Sequence, residues 1–162
     1  MNASGTGEGN PAAKAEEPAL SGEAQQSVGG NRKILVVDDN AVVLKTLAGK
    51  LSAVGFKVIT EAESAAGVGA ARKECPDLII LDINFPPDNG FSSLQWDGLN
   101  ILQWVKRFEE LKDIPVIIIT ADDPAKHKEQ TLAAGATAFF RKPVDHEQLV
   151  ATIVQILGAA PQ

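Results

Sequence analysis

The chain reads as an α/β fold in which one parallel sheet is covered by helices on both faces. Two observations carry that reading. From residue 33 onward, five short apolar runs of strand length alternate with five longer segments of helical period. One of the runs, Leu78–Leu81, is apolar at every position, as a strand buried on both faces must be. Strands alternating with helices in this way build a three-layered α/β domain with right-handed crossovers.

The elements follow in order. Ile34–Val37 is the first strand. Val43, Leu47, Leu51 and Val54 then recur on one helical face, and Gly55 ends that helix. Phe56–Glu61 is the second strand, and Ser64–Lys73 an Ala-rich helix closed by Cys75 and Pro76. Leu78–Leu81 is followed by an irregular stretch, 83–97, holding Pro86-Pro87, Asn89-Gly90 and Ser92-Ser93. Helical period resumes with Ile101, Val105 and Phe108. Val116–Ile119 is the fourth strand, a helix covers roughly Pro124–Ala134 with Gly135 as its stop, and Thr137–Arg141 is the fifth strand. Leu149, Ile153, Ile156 and Leu157 line the last helix.

Composition narrows the function. Residues 1–30 are rich in Gly, Ala, Ser, Glu, Gln and Pro, with Met1, Leu20 and Val28 as the large apolar side chains. Such a stretch buries too little surface to offset its ordering entropy, so a disordered tail is expected there, and the folded domain at 31–162. It lacks the basic and apolar regions of a secretory signal. The net charge of −6 is shared between tail and domain, and no basic stripe appears, which argues against direct nucleic-acid binding. No apolar stretch approaches the ~20 residues that span a bilayer. The single Cys75 excludes an intramolecular disulfide, reads as a helix-end residue, and fits a cytoplasmic location.

A parallel sheet gathers the residues that follow its strands at one edge, where α/β folds bind ligands and do chemistry. Those residues are Asp38 and Asp39, Asp82, Thr120 and Lys142. Two carboxylates about 4 Å apart repel by about 4 kcal/mol at an effective dielectric near 20. Three together either hold protons or recruit a cation. Lys142 offsets one charge, and a Mg²⁺ ion on Asp39 and Asp82, with Asp38 close by, would offset the rest. Asp82 stands alone after the central strand, the most accessible place for a carboxylate nucleophile that takes a phosphoryl group. The metal, the Lys142 ammonium and the Thr120 hydroxyl would each bind one phosphoryl oxygen. Helix capping is the competing use of such residues. Asn40, Asp122 and Asp123 read as N-caps, and Asp38 and Asp39 taken alone fit either use. His127 and His146 have no second ligand at metal spacing and read as solvated helix positions.

Residues 32–158 resemble the receiver domain of bacterial two-component response regulators, through ILVVDDN, PDLIILDI, WDGLNIL, PVIIITA, GATAFFRKP and the closing amphipathic helix. The resemblance implies a doubly wound, flavodoxin-like sheet of order 2-1-3-4-5. It implies that Asp38 and Asp39 bind Mg²⁺, that Asp82 is the phospho-acceptor, and that the Asn84 backbone carbonyl completes the metal shell. Thr120 becomes the switch hydroxyl, Lys142 its phosphoryl-pairing lysine before a cis Pro143, and Phe139 the aromatic switch. The implied partners are a histidine kinase or phosphotransfer protein and a downstream protein on the face of helix 4, strand 5 and helix 5. Phosphorylation-dependent dimerisation is a further implied behaviour. The implied role is a signalling switch with self-phosphorylation and autodephosphorylation chemistry, not a turnover enzyme. With only Ala159–Gln162 beyond the last helix, a stand-alone or excised receiver is expected.

One segment departs from the family pattern. Asp97-Gly98 arrives about eight residues late, in a connection already long for an α/β fold. The insertion, approximately Asp88–Gln95 between Phe85 and Trp96, reads either as a surface elaboration or as a lid or recognition ridge. Two other classes compete. A haloacid-dehalogenase-type phosphohydrolase resembles Asp-x-Asp after its first strand and carries a cap domain, whereas this strand ends in Asp38-Asp39-Asn40 with no cap-sized insertion. A degenerate receiver that only docks is disfavoured by the complete set of five site residues.

Overall fold

The computed structural model describes residues 28–84 and 98–158. The expected tail up to residue 27 and the insertion at 88–95, with Phe85 and Trp96, lie outside the described residues. Five strands and five helices alternate: β1 Lys33–Val37, α1 Ala41–Ala53, β2 Lys57–Glu61, α2 Ser64–Glu74, β3 Leu78–Asp82, α3 Gly98–Arg107, β4 Val116–Thr120, α4 Pro124–Ala133, β5 Ala138–Arg141 and α5 His146–Leu157. The strands form one parallel sheet of order β2-β1-β3-β4-β5, the order expected. Asp82 and Thr120, read as the residues after their strands, are instead the last residues of β3 and β4.

Each strand divides its side chains between two cores. Ile34, Val36, Ile80, Ile117 and Ile119 point to the face covered by α1 and α5, where Leu47, Leu51, Leu149 and Ile153 pack. Leu35, Val37, Ile79, Leu81 and Ile118 point to the opposite face, against Val68 and Ala71 of α2 and Ile101, Leu102 and Val105 of α3. Both β3 and β4 are buried along their whole length, so each gains hydrophobic stabilisation on two sides.

Helix ends are set by local chemistry. Asn40 caps α1 by accepting from the Val42 and Val43 amides, and Asp123 caps α4 by accepting from the Ala125 amide. Asp145 does the same for α5, a cap the sequence reading did not assign. Asp122 is not a cap, contrary to expectation. Its carboxylate lies 3.2 Å from His127 Nε2, so His127 is paired and not simply solvated. Cys75 ends α2 in the left-handed conformation with φ 44°, consistent with its reading as a helix-end residue. The folded unit begins earlier than residue 31: Gly29 is buried, and its amide donates to the Val54 carbonyl at 3.0 Å. Arg32 joins the two ends of the domain, its Nη1 donating to the carbonyls of Leu157 and Gly158 at the close of α5.

Two glycines of α2 separate propensity from packing. A Cβ on Gly67 would lie 2.8 Å from Val37 Cγ1, whereas one on Gly69 meets nothing within 4 Å. Gly69→Ala is expected to stabilise the domain by about 0.5–1 kcal/mol through helix propensity. Gly67→Ala is expected to destabilise it by about 1–3 kcal/mol through overpacking against β1. Urea unfolding of the two variants checks this, and equal effects would contradict it.

Candidate functional site

The sheet order places the site. β1 connects outward to β2 on one side while β3 lies on its other side, so a crevice opens between the carboxyl ends of β1 and β3. Asp38 follows β1, and Asp82 ends β3. Parallel register then carries Thr120 of β4 and Lys142, just past β5, to the same edge. The Lys142 amide donates to the Thr120 carbonyl at 2.7 Å, which fixes the lysine relative to β4. The Lys142–Pro143 bond is cis, as expected.

The side chains meet around one ammonium. Lys142 Nζ lies 2.6 Å from Asp38 Oδ2 and 3.1 Å from Asp82 Oδ2. Asp38 is 0% exposed and Asp82 2% exposed, while Asp39 faces solvent. The remaining carboxylate oxygens accept backbone amides two residues on: Asn40 N–H donates to Asp38 Oδ1 at 2.8 Å, and Asn84 N–H to Asp82 Oδ1 at 2.9 Å. Asp38 therefore does local turn work as well as facing the crevice.

Burial pushes the Asp82 pKa up, and the Asp38 charge adds to the rise. The Asn84 amide and the Lys142 ammonium oppose it without reversing it. Burial alone would lower the Lys142 pKa, but Asp38 and Asp82 outweigh that and hold it above the ordinary lysine value. One cation thus faces two buried carboxylates, and the crevice remains electron-rich.

A hard cation fits this set. Oxygens of Asp38, Asp39 and Asp82 lie within 4.8 Å of one another. Asp38 Oδ2 is buried without an aligned hydrogen bond, facing only a charge that it shares with Asp82. An all-oxygen donor set with one open, solvent-facing side suits a divalent ion that keeps waters.

Thr120 is 0% exposed at the same edge. Its Oγ1 accepts from Asn84 Nδ2 and from the Asp122 amide, each at 3.1 Å. The Asn84 side chain is a contact that sequence reasoning missed, having assigned that residue only a backbone carbonyl. Phe139 is half-buried and packs on the α2–α3 core, the face to which Ile118 of β4 points. Alternation puts Thr120 on that same face. His146 is at the start of α5, and His127 is on α4.

These features define a class: a doubly wound α/β domain with an acidic, lysine-bearing crevice at its topological switch point. The chain belongs to the response regulator receiver domain family, whose model matches residues 34–154. It is 30% identical over 129 residues to the polar-differentiation response regulator DivK of Brucella ovis, across 80% of this chain and 98% of that protein. The chemotaxis response regulator CheY4 of Vibrio cholerae shares the fold at TM-score 0.67 and 28% identity, covering 78% of this chain and 98% of that one. A receiver domain protein from Clostridium thermocellum matches at TM-score 0.68 and 26% identity, over 78% and 94% of the respective chains.

The electrostatics give a stability prediction. The raised Asp82 pKa means that the fold favours the neutral carboxyl, so stability falls as pH rises through the folded-state value. Asp82→Asn removes that penalty and leaves Lys142 paired with Asp38. At neutral pH without metal, urea unfolding of Asp82→Asn is expected to show a gain in stability, because the neutral amide escapes the burial cost of the carboxylate while Lys142 keeps Asp38. The gain should vanish at acid pH, where Asp82 is already protonated. A loss at neutral pH would mean that the attraction of Lys142 exceeds the cost of burial.

Proposed function

We propose that this receiver domain takes a phosphoryl group on Asp82 from a histidine kinase or phosphotransfer protein. The observation that carries the reading is the placement of Asp82: a buried carboxylate ending the central strand, 3.1 Å from the Lys142 ammonium and within 4.8 Å of two further acids. An oxygen of Asp82 attacks phosphorus, the bond from phosphorus to the donor breaks, and the donor leaves with the electron pair. Lys142 stabilises the charge on one phosphoryl oxygen, and the Thr120 hydroxyl donates to another. Asp38, Asp39, Asp82 and the Asn84 carbonyl would hold Mg²⁺, which when bound supplies neutralisation of the charge shared between acceptor and phosphoryl group. Family membership supports the donor class, since receiver domains are phosphorylated by histidine kinases or phosphotransfer proteins.

The product is a switch and not a turnover enzyme. New charge at Asp82 draws Thr120 toward it, Phe139 on the same face follows, and a pre-existing equilibrium shifts. The output surface is the face of α4, β5 and α5, where Leu132 stands 41% exposed. It contacts a downstream protein or, as a phosphorylation-dependent dimer, a second copy. Autodephosphorylation resets it. The reading places the domain in the cytoplasm, and among the described residues no helix is long and apolar enough to cross a membrane.

Incubation with acetyl phosphate and Mg²⁺ is expected to add one phosphoryl group by intact mass. Chelating the metal or substituting Asp82→Asn should abolish the addition, and a shift that survives Asp82→Asn would overturn the assignment. Lys142→Met is expected to slow the incorporation by on the order of 10²-fold, the usual cost of losing one charge-stabilising donor. An unchanged rate in that variant, followed by the same mass assay, would remove Lys142 from the transfer step.

A further inference from the structure

The geometry points to the Asn84 side chain as a positioning residue for Thr120, in a relay Asp82–Asn84–Thr120–Asp122–His127 that carries the state of Asp82 to α4. This rests on the reading of Asp82 as the phospho-acceptor.

Asn84 touches both ends of the site. Its backbone N–H donates to Asp82 Oδ1 at 2.9 Å, and its amide Nδ2 donates to Thr120 Oγ1 at 3.1 Å. The Asp122 N–H donates to the same hydroxyl oxygen at 3.1 Å. A hydroxyl has two acceptor positions and one proton. Both acceptor positions of Thr120 are taken, so its proton is the group left to donate. Asp122 then pairs through its carboxylate with His127 Nε2 at 3.2 Å, within α4. The next residue, Asp123, caps that helix through the Ala125 amide at 3.0 Å. The two-residue segment after Thr120 and Ala121 therefore anchors the start of α4 twice.

A phosphoryl group adds strong acceptor oxygens beside Asp82. Turning its proton toward them takes the Thr120 hydroxyl away from the Asn84 amide and the Asp122 N–H. Asp122 loses its hold on Thr120, and its carboxylate shifts against His127. The relay needs only groups already bonded in sequence. It links Asp82 to α4 along a path separate from Phe139, and it assigns His127 a function in place of a solvated one.

The full chain, phosphorylated with acetyl phosphate and Mg²⁺ and verified by intact mass, tests the relay by NMR of the His127 ring nitrogens. In the wild type the His127 Nε2 resonance is expected to move on phosphorylation. In Asn84→Ala the response should fall below about half, the signature of a residue coupling two sites. A phosphorylated wild type with an unmoved His127, or an equal response in Asn84→Ala, overturns the relay while leaving the acceptor reading intact. Absence of any phosphoryl group on the wild type overturns that reading and the relay together. A second arm needs no phosphorylation. Side-chain couplings of Thr120 are expected to report one χ1 rotamer in the resting wild type and averaging in Asn84→Ala, and a rotamer that stays fixed overturns the proposal.

Discussion

One ammonium held between two buried carboxylates organises this molecule. Lys142 reaches Asp38 at 2.6 Å and Asp82 at 3.1 Å, and its own amide is tied to the Thr120 carbonyl. Through these contacts the end of β5 is fastened to β1, β3 and β4 at once. The charges do not balance. One positive group serves two buried acids with a third, Asp39, at the rim, an arrangement that suits a further cation. Burial sharpens this by raising the free energy of the Asp82 carboxylate, so anything that neutralises it is bound at an advantage.

Topology makes the arrangement possible. The order β2-β1-β3-β4-β5 opens a crevice beside the two central strands, and β3 and β4 are buried along their whole length up to the residues that face it. Buried acids at a strand end would be costly if left bare. Here each has one oxygen on a backbone amide and the other facing Lys142. Chemistry and local turn formation use the same residues, which is why capping and catalysis could not be separated for Asp38 from its position alone.

The legible part of this protein is the part written in periodicity. Apolar runs and helical spacing locate the ten elements of the described residues, and the residues closing β1, β3, β4 and β5 point to one edge. What stayed hidden depends on contacts that spacing does not encode. The pairing of Asp122 with His127 spans five residues across a helix start, outside the i+3 and i+4 pattern of helix partners. The bond from Asn84 to Thr120 joins residues 36 apart in sequence and appears only once β3 and β4 lie side by side. Gly29 was assigned to a tail by composition, yet its amide finds the Val54 carbonyl at the end of α1. Composition describes what a segment can bury, and a single backbone hydrogen bond is too small a feature for it to register.

The receiver family supplies the class, and the crevice supplies the chemistry. On the proposed reading, a phosphoryl group on Asp82 would lie beside Lys142, which already bonds the Asp82 carboxylate, and would reach Thr120 through the Asn84 contact, with Asp122 next in line before α4. All of this turns on which carboxylate reacts. Reductive trapping of the phosphorylated protein with borohydride converts an aspartyl phosphate to homoserine, and peptide mapping then locates it. The account predicts homoserine at position 82 and unmodified aspartate at 38 and 39; homoserine at either of those two, with position 82 intact, would contradict it.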